Sequence, residues 1–214
     1  MKKILPFLFF ILVCIITLIF LGRAVPSFRA NVSANNGIYK AIPLNRSQFL
    51  HHTHNNCAPF SAMAVISILR KNIINPEKLA SEINWRMEEN MTFPQGLVNL
   101  LHNYDVETKE YVMSRYNDEQ KINWLKNMAD NDTPVIMLVK ENNMLHFITM
   151  LGYDSHGFLF YDSMQARRGE NSEMTKVDRP EYEGNRYYTF DEFMPMWNEG
   201  HVSIFFRNWA VVCY

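Results

Sequence analysis

Three residues of the sequence have side chains that together can perform nucleophilic catalysis: Cys57, His146 and Asp162. A cysteine attacks efficiently only as a thiolate, so it needs a base that accepts and returns protons. That base in turn needs a third group that fixes its tautomer and stabilises its charged form. These residue types predict covalent catalysis in which Cys57 is the nucleophile, His146 is the general base and acid, and Asp162 orients His146.

The segment 56–71 (NCAPFSAMAVISILRK) predicts a helix that begins at the cysteine. Asn56 suits the N-cap position, and Pro59 suits the first turn. Residues 60–69 are apolar or small on every side, so we expect this helix to lie inside the core. Because the N-terminal end of a helix favours negative charge, this position lowers the pKa of the Cys57 thiol.

A β-hairpin is predicted to bring the histidine and the aspartate together. Residues 144–153 and 158–162 have strand patterns, and residues 154–157 (DSHG) between them are typical of a turn. The midpoint between His146 and Asp162 lies within this turn. We therefore expect the two side chains to be cross-strand neighbours.

The remaining pattern predicts an α+β fold. We expect further helices at 75–85, 92–103, 117–130 and 189–197, and further strands at 38–43, 105–113, 134–140, 187–188 and 203–213. Asn117 with Gln120, and Thr189 with Glu192, have the spacing of capping boxes at two of these helices. Most helices precede most strands, and tight turns join the strands. This order is typical of helices packed on an antiparallel sheet.

Each candidate catalytic residue also has a purely structural interpretation. Cys57 is either a small buried apolar residue or one half of a disulfide with Cys213, since an oxidising compartment favours pairing. His146 is a core histidine with satisfied nitrogens, and Asp162 is a residue that ends a strand at a turn. A Cys57–Cys213 disulfide would remove the nucleophile.

A metal site is a further alternative near the cysteine. Histidines and the cysteine follow one another in an H-H-x-H-x-x-C pattern formed by His51, His52, His54 and Cys57. Imidazole and thiolate are ligands that zinc and copper both accept. No Cys-x-x-Cys pair accompanies the cluster, so the main prediction includes no metal and no cofactor.

Charge and composition exclude several classes of protein. Of 214 residues, 48% are hydrophobic and 20% are charged, as in globular proteins. Residues 1–30 contain four basic and no acidic residues, so 17 basic and 22 acidic residues remain and the body has a net charge of −5. An acidic body argues against nucleic-acid binding. The absence of a G-x-x-x-x-G-K-[ST] motif argues against nucleotide binding.

The beginning of the sequence predicts export. Residues 4–22 are nineteen uncharged residues, which is close to the length of a membrane-spanning helix and longer than a typical signal-peptide core. We expect residues 1–30 to be an uncleaved signal anchor or, alternatively, a cleaved signal peptide. Either places the body outside the cytoplasm: in the periplasm or at the cell surface if the source is bacterial, or secreted after signal cleavage. We expect residues 31–44 to be a linker and residues 45–214 to be one domain.

Three segments resemble C39-like peptidases, a branch of the papain-like cysteine peptidase fold. Residues 56–64 (NCAPFSAMA) resemble the family's cysteine helix, and residues 146–154 (HFITMLGYD) resemble its histidine strand. Residues 158–163 (FLFYDS) resemble the next strand, with Ser163 where the family has proline. The likeness covers roughly residues 45–210, and the interval of sixteen residues between histidine and aspartate is that of the family.

The resemblance implies an extracytoplasmic cysteine peptidase that acts on a peptide or protein substrate. Cys57, His146 and Asp162 would be the catalytic residues, and hydrolysis would proceed through an acyl-enzyme. A catalytically silent peptide-binding module on the same fold and an enzyme that transfers the acyl group to another acceptor remain alternatives.

One departure from the family concerns the oxyanion hole. The family has a glutamine six residues before the cysteine, which donates to the oxyanion beside the backbone N–H of the cysteine; here His51 stands at that position. A histidine N–H can also donate, so we expect His51 to take this role. Gln48 and His52 are the alternatives.

Overall fold

The computed structural model describes residues 9–17, 28–52, 55–164, 183–202 and 206–214. Its helices are α1 (Cys57–Arg70), α2 (Pro76–Glu82), α3 (Pro94–Asn103), α4 (Asp118–Asp130) and α5 (Phe190–Glu199). Its strands are β1 (Lys40–Ala41), β2 (Thr108–Val112), β3 (Val135–Glu141), β4 (Met144–Tyr153), β5 (Gly157–Tyr161), β6 (Arg186–Thr189) and β7 (Trp209–Cys213).

The strands form a single antiparallel sheet in the order β2-β7-β3-β4-β5-β6, and β1 pairs with the end of β4. The predicted α+β fold with helices on an antiparallel sheet is therefore confirmed. Both predicted capping boxes are present, at Asn117–Gln120 and at Thr189–Glu192. Such local signals depend on residues three apart, which explains why the sequence alone locates them.

Helices cover both faces of the sheet. One core cluster joins the sheet to α1, α2 and α3, and a second joins its other face to α4 and α5. Side chains of a strand alternate between the two faces, so Ile136 and Leu138 enter the first cluster while Met137 and Val139 enter the second. Burial on both faces explains why β3 is apolar at consecutive positions.

Helix α1 is the central helix of the first layer. Eleven of its fourteen residues are buried, as its apolar composition predicts. Ser61 of α1 donates a hydrogen bond of 3.2 Å to the carbonyl oxygen of Phe147 in β4. This bond fixes the beginning of α1 beside the strand that contains His146.

The β4–β5 hairpin forms, but its register differs from the expected one by two residues. Thr149 pairs with Tyr161, and continuing this register places Asp162 opposite Ile148 rather than opposite His146. A bulge between Met150 and Gly152 interrupts the pairing: Met150 pairs with Phe160, but Gly152, two residues further on, pairs with Leu159. A diagonal position in an antiparallel pair still permits long side chains to meet.

The described part of the N-terminal segment is short. Residues 9–17 are helical, and the rest of the predicted membrane run 4–22 lies outside the described residues. Among the residues that the structure describes, no helix is both long and apolar enough to cross a membrane. Within the predicted linker 31–44, β1 joins the sheet, and Ile42 and Leu44 are buried in the first core cluster.

The bulge in β4 provides a test of this architecture. Gly152 has a φ of +157°, and a Cβ atom there would lie 2.2 Å from the carbonyl oxygen of Lys40 in β1. We expect Gly152→Ala to lower the free energy of unfolding by about 1–3 kcal/mol, measured by urea denaturation. The exposed control Met144→Ala on the same strand should change it by about 0.5 kcal/mol or less. Equal effects of the two substitutions would contradict the assigned strain.

Candidate active site

Cys57 is the first residue of α1 and is buried. The backbone N–H groups of Phe147 and Ala58 and the ring of His146 hydrogen-bond to its sulfur. The beginning of α1 therefore places the sulfur next to β4, where His146 and Phe147 are its hydrogen-bond partners. The sequence predicts this position correctly, because the apolar stretch begins directly after the cysteine.

His146 and Asp162 form a fully buried pair. Nε2 of His146 lies 2.7 Å from Oδ1 of Asp162, and the two side chains are 1% and 0% exposed. Since Nε2 bonds to the carboxylate, Nδ1 is the ring nitrogen that bonds to Cys57. The structure thus brings the three predicted residues into one hydrogen-bonded chain.

Asn185 holds Asp162 in place through both of the aspartate's backbone groups. The Asp162 N–H donates to Oδ1 of Asn185, and Nδ2 of Asn185 donates to the Asp162 carbonyl, each at 2.8 Å. The N–H of Met164 also donates to Oδ1 of Asp162 at 2.9 Å. Sequence analysis did not identify Asn185, because nothing near it in the chain indicates a partner 23 residues away.

The three groups shift one another's protonation. Burial alone would raise the pKa of the Cys57 thiol, but the hydrogen bond and charge of His146 outweigh burial and lower that pKa. Burial disfavours the charged imidazole too, yet Asp162 and Cys57 raise the pKa of His146 to about 10. Burial likewise opposes ionisation of Asp162, and His146 keeps the pKa of this carboxyl below its ordinary value. At neutral pH the arrangement favours a thiolate beside an imidazolium.

His52 packs against the ring of His146. Its ring stacks on the ring of His146 with 5.6 Å between centroids, and its Nδ1 lies 2.8 Å from Oγ of Ser163. Burial and then the charge of His146 lower the pKa of His52 to about 4, so this ring is neutral at neutral pH. Ser163, which replaces the family's proline, therefore has a local role in fixing His52.

The two other candidates for the oxyanion hole are His51, which lies at the surface, and Gln48, which lies away from the sulfur of Cys57. The His51 side chain is exposed, and its ring contacts His52 at 5.9 Å between centroids. Gln48 is buried, and its Oε1 accepts from Oγ of Ser67. Ser67 is ten residues beyond Cys57 in α1, which is about 15 Å along a helix. Gln48 is therefore too far away to donate beside the sulfur.

The structure contradicts the disulfide alternative. Cys57 and Cys213 are both free thiols, and Cys213 is buried in β7. Burial raises the pKa of Cys213, so its thiol stays protonated. Among the described residues there is also no group of three or more metal-ligating side chains in one place; His54 lies outside them.

An arginine that sequence analysis did not identify, Arg86, lies near Cys57. Arg86 donates from its guanidinium to Oδ1 of Asn56, the residue that precedes Cys57. Burial lowers the pKa of Arg86, while the attraction of Cys57 opposes this effect. The cysteine and the guanidinium are therefore close enough to interact electrostatically.

The comparison with known families agrees with this site. The Peptidase_C39 like family matches residues 41–192, which is more than half of the chain, and the protein therefore belongs to this family. It is accordingly a cysteine peptidase, a hydrolase that acts on peptide substrates. No curated protein matches the chain.

Three solved structures similar to this chain are a peptidase, a peptidase domain and a protease. A protein described as a C39-like peptidase from Bacillus anthracis is 12% identical, with 87% of this chain and 98% of that chain covered and a TM-score of 0.49. The peptidase domain of Streptococcus ComA, a bifunctional ABC transporter of a quorum-sensing pathway, is 13% identical (81% and 96% covered, TM-score 0.48). A double glycine motif protease from an AMS/PCAT transporter, solved with its leader peptide, is also 13% identical (88% and 95% covered, TM-score 0.49).

Alkylation by iodoacetamide should distinguish the two buried cysteines by their reactivity. We expect the alkylation rate of Cys57 to reach half of its maximum at a pH below 8.5, which is the ordinary thiol pKa. Cys213 should stay unmodified. His146→Ala should move the Cys57 rate profile to higher pH, because burial then acts without the opposing imidazolium. Peptide mapping by mass spectrometry measures both sites. Equal labelling of the two cysteines would contradict the assigned pKa difference.

Proposed function

We propose that this peptidase hydrolyses peptide bonds with Cys57 as nucleophile, His146 as general base and acid, and Asp162 as the residue that orients His146. The main support is the buried hydrogen-bonded chain from Asp162 through His146 to Cys57, with 2.7 Å between Nε2 and Oδ1. The opposite pKa shifts of Cys57 and His146 also support it, since such shifts are typical of catalytic pairs.

In the first half of the proposed reaction, the Cys57 thiolate attacks the carbonyl carbon of the peptide bond. A sulfur–carbon bond forms, and the carbonyl π electrons move to oxygen. The intermediate then collapses: the carbon–nitrogen bond breaks, and the departing nitrogen takes the proton from Nδ1 of His146. The products are an amine and a thioester at Cys57.

In the second half, water hydrolyses the thioester. Nδ1 of His146, now unprotonated, accepts a proton from water while the oxygen attacks the thioester carbon. The carbon–sulfur bond breaks, and a carboxylic acid leaves. Cys57 is again a thiolate and His146 an imidazolium, so the starting charges are restored. Asp162 stabilises the imidazolium and keeps the ring in place throughout.

Substitutions should rank the three residues by role. We expect Cys57→Ser and His146→Ala each to lower peptide hydrolysis by about 10³-fold or more. Asp162→Ala should cost more than Asp162→Asn, because an asparagine oxygen can still accept from Nε2 and orient the ring. The measurement is mass spectrometry of new N-termini in a peptide library, with melting temperatures to verify folding.

Cys213→Ala is the matched control, because it removes the other buried thiol of the domain; its activity should stay within about twofold. Wild-type protein that binds library peptides but releases no new N-termini would contradict hydrolysis and favour the silent binding module.

We also propose that residues 4–22 attach the enzyme to a membrane with the catalytic domain outside the cytoplasm. The support is nineteen uncharged residues between Lys3 and Arg23, of which 9–17 are helical. Such a run is long enough to span the hydrocarbon core.

Membrane fractionation tests this attachment. The full chain should stay in the membrane pellet after an alkaline carbonate wash, and Leu12→Arg with Ile16→Arg should release it, because arginine at mid-membrane costs about 2.5–3.5 kcal/mol. Ile38→Arg, at an exposed position in the body, is the matched control and should remain in the pellet. Uncleaved wild-type protein in the soluble fraction would contradict the anchor.

A further inference from the structure

Asn56 is a buried polar residue whose side chain does not do what its position predicts. It occupies the cap position of α1 and is 6% exposed, yet its side chain makes no hydrogen bond to the helix. An asparagine at this position ordinarily accepts from a first-turn N–H. Here the carboxamide is turned towards Arg86 instead.

The bond to Arg86 determines the orientation of the Asn56 amide, that is, which of Oδ1 and Nδ2 faces the guanidinium. A guanidinium has only donors, so the group that faces it must be the amide oxygen, Oδ1. The amide nitrogen Nδ2 therefore points away from Arg86 with both of its N–H groups. Within the described part of the chain, Oδ1 bonds to Arg86 and Nδ2 has no acceptor.

Arg86 is itself held firmly. It donates to the carbonyl oxygen of Ala80 at 3.1 Å and to that of Asn90 at 3.0 and 3.3 Å, and the bridge between residues 86 and 92 closes the same loop. No carboxylate forms an ion pair with Arg86 among the described residues. Its charge interacts with Cys57 and, to a smaller extent, with Glu77, and it is hydrogen-bonded to Asn56. Hydrogen bonding to a cation makes an amide a stronger donor.

We propose that Nδ2 of Asn56 is the second donor of the oxyanion hole, beside the backbone N–H of Cys57, and that Arg86 is the positioning residue that orients it. This inference rests on the proposed hydrolytic function. It assigns to the residue just before the nucleophile the task that the family's glutamine performs six residues earlier. The donor belongs to a buried residue that directly precedes Cys57, and its bond to Arg86 fixes its orientation, as stabilisation of a developing oxyanion requires.

Two small reagents distinguish an oxyanion donor from a residue that activates the thiol. p-Nitrophenyl acetate acylates Cys57: the sulfur–carbon bond forms through an oxyanion, and p-nitrophenolate leaves. Iodoacetamide alkylates the same sulfur without an oxyanion, and iodide leaves. Both rates are measured at the high-pH plateau on the full chain with Cys14→Ala and Cys213→Ala, so that Cys57 is the only thiol.

We expect Asn56→Ala and the isosteric Asn56→Asp to lower the acylation rate by about 10²-fold and to leave the alkylation rate within twofold. Arg86→Met should lower acylation less. It should also move the alkylation profile to higher pH, because a positive charge near the thiolate is lost. A purely structural role for Arg86 would change the melting temperature without changing the ratio of the two rates.

A matched control and a test of the competing donor complete the design. Asn208→Ala removes another buried amide, which bonds to Trp197 and Asn198 away from the site, and should leave the ratio of acylation to alkylation unchanged. His51→Ala should likewise leave the ratio unchanged. A specific loss of acylation in His51→Ala, with none in Asn56→Ala, would overturn the proposal in favour of His51.

The remaining outcomes separate this inference from the proposed function. Unchanged acylation in both Asn56 variants, or an equal fall in acylation and alkylation, would overturn the role of Asn56 while the catalytic role of Cys57 stands. A wild-type Cys57 that reacts with neither reagent faster than an ordinary thiol would overturn the proposed function itself, and the oxyanion assignment with it.

Discussion

The structure depends on mutual neutralisation of charges in a place that excludes water. Asp162, His146 and Cys57 are all buried, and each would lose its charge if it stood alone in such surroundings. Together they form a chain in which a cation lies between two anions, and each charge offsets the desolvation of its neighbours. A buried ion pair is sensitive to the loss of one member, since the remaining charge then has no partner. The ionised state of the thiol and local stability therefore depend on the same contacts.

The surrounding contacts hold Asp162, His146 and Cys57 in position relative to one another. Asn185 fixes the backbone of Asp162, and Ser61 ties α1 to β4 next to His146. Behind them lies a second buried pair, Arg186 with Glu141 at 3.1 Å, and the charge of Arg186 also helps to lower the pKa of Asp162. The site thus rests on the two layers of the fold at once, because α1 belongs to one core cluster while the strand β6 of Arg186 borders the other.

The parts of this arrangement that sequence reasoning finds are those that short-range patterns encode. The capping boxes, the buried helix that begins at Cys57 and the hairpin between His146 and Asp162 each depend on spacing within a few residues or one turn. The hairpin register differs from the expected one because Tyr153 pairs with Phe158, so the turn is centred between Ser155 and His156 rather than at Asp154. The bulge between Met150 and Gly152, which has no reliable sequence pattern, then reduces the offset by one residue. Asn185 and Arg86 act across 23 and 30 residues of chain, so only the folded structure reveals them.

The order of these residues along the chain has a consequence for a protein still being made. Cys57 emerges first from the ribosome, whereas His146, Asp162 and the Asn185 that fixes the backbone of Asp162 follow later. Until they arrive, Cys57 is an ordinary thiol on an unfolded segment, and it is mostly protonated at neutral pH. The pKa of the Cys57 thiol falls only once β4 has formed and placed His146 beside it. A nascent chain is therefore protected from its own reactivity by the sequence in which its parts are synthesised.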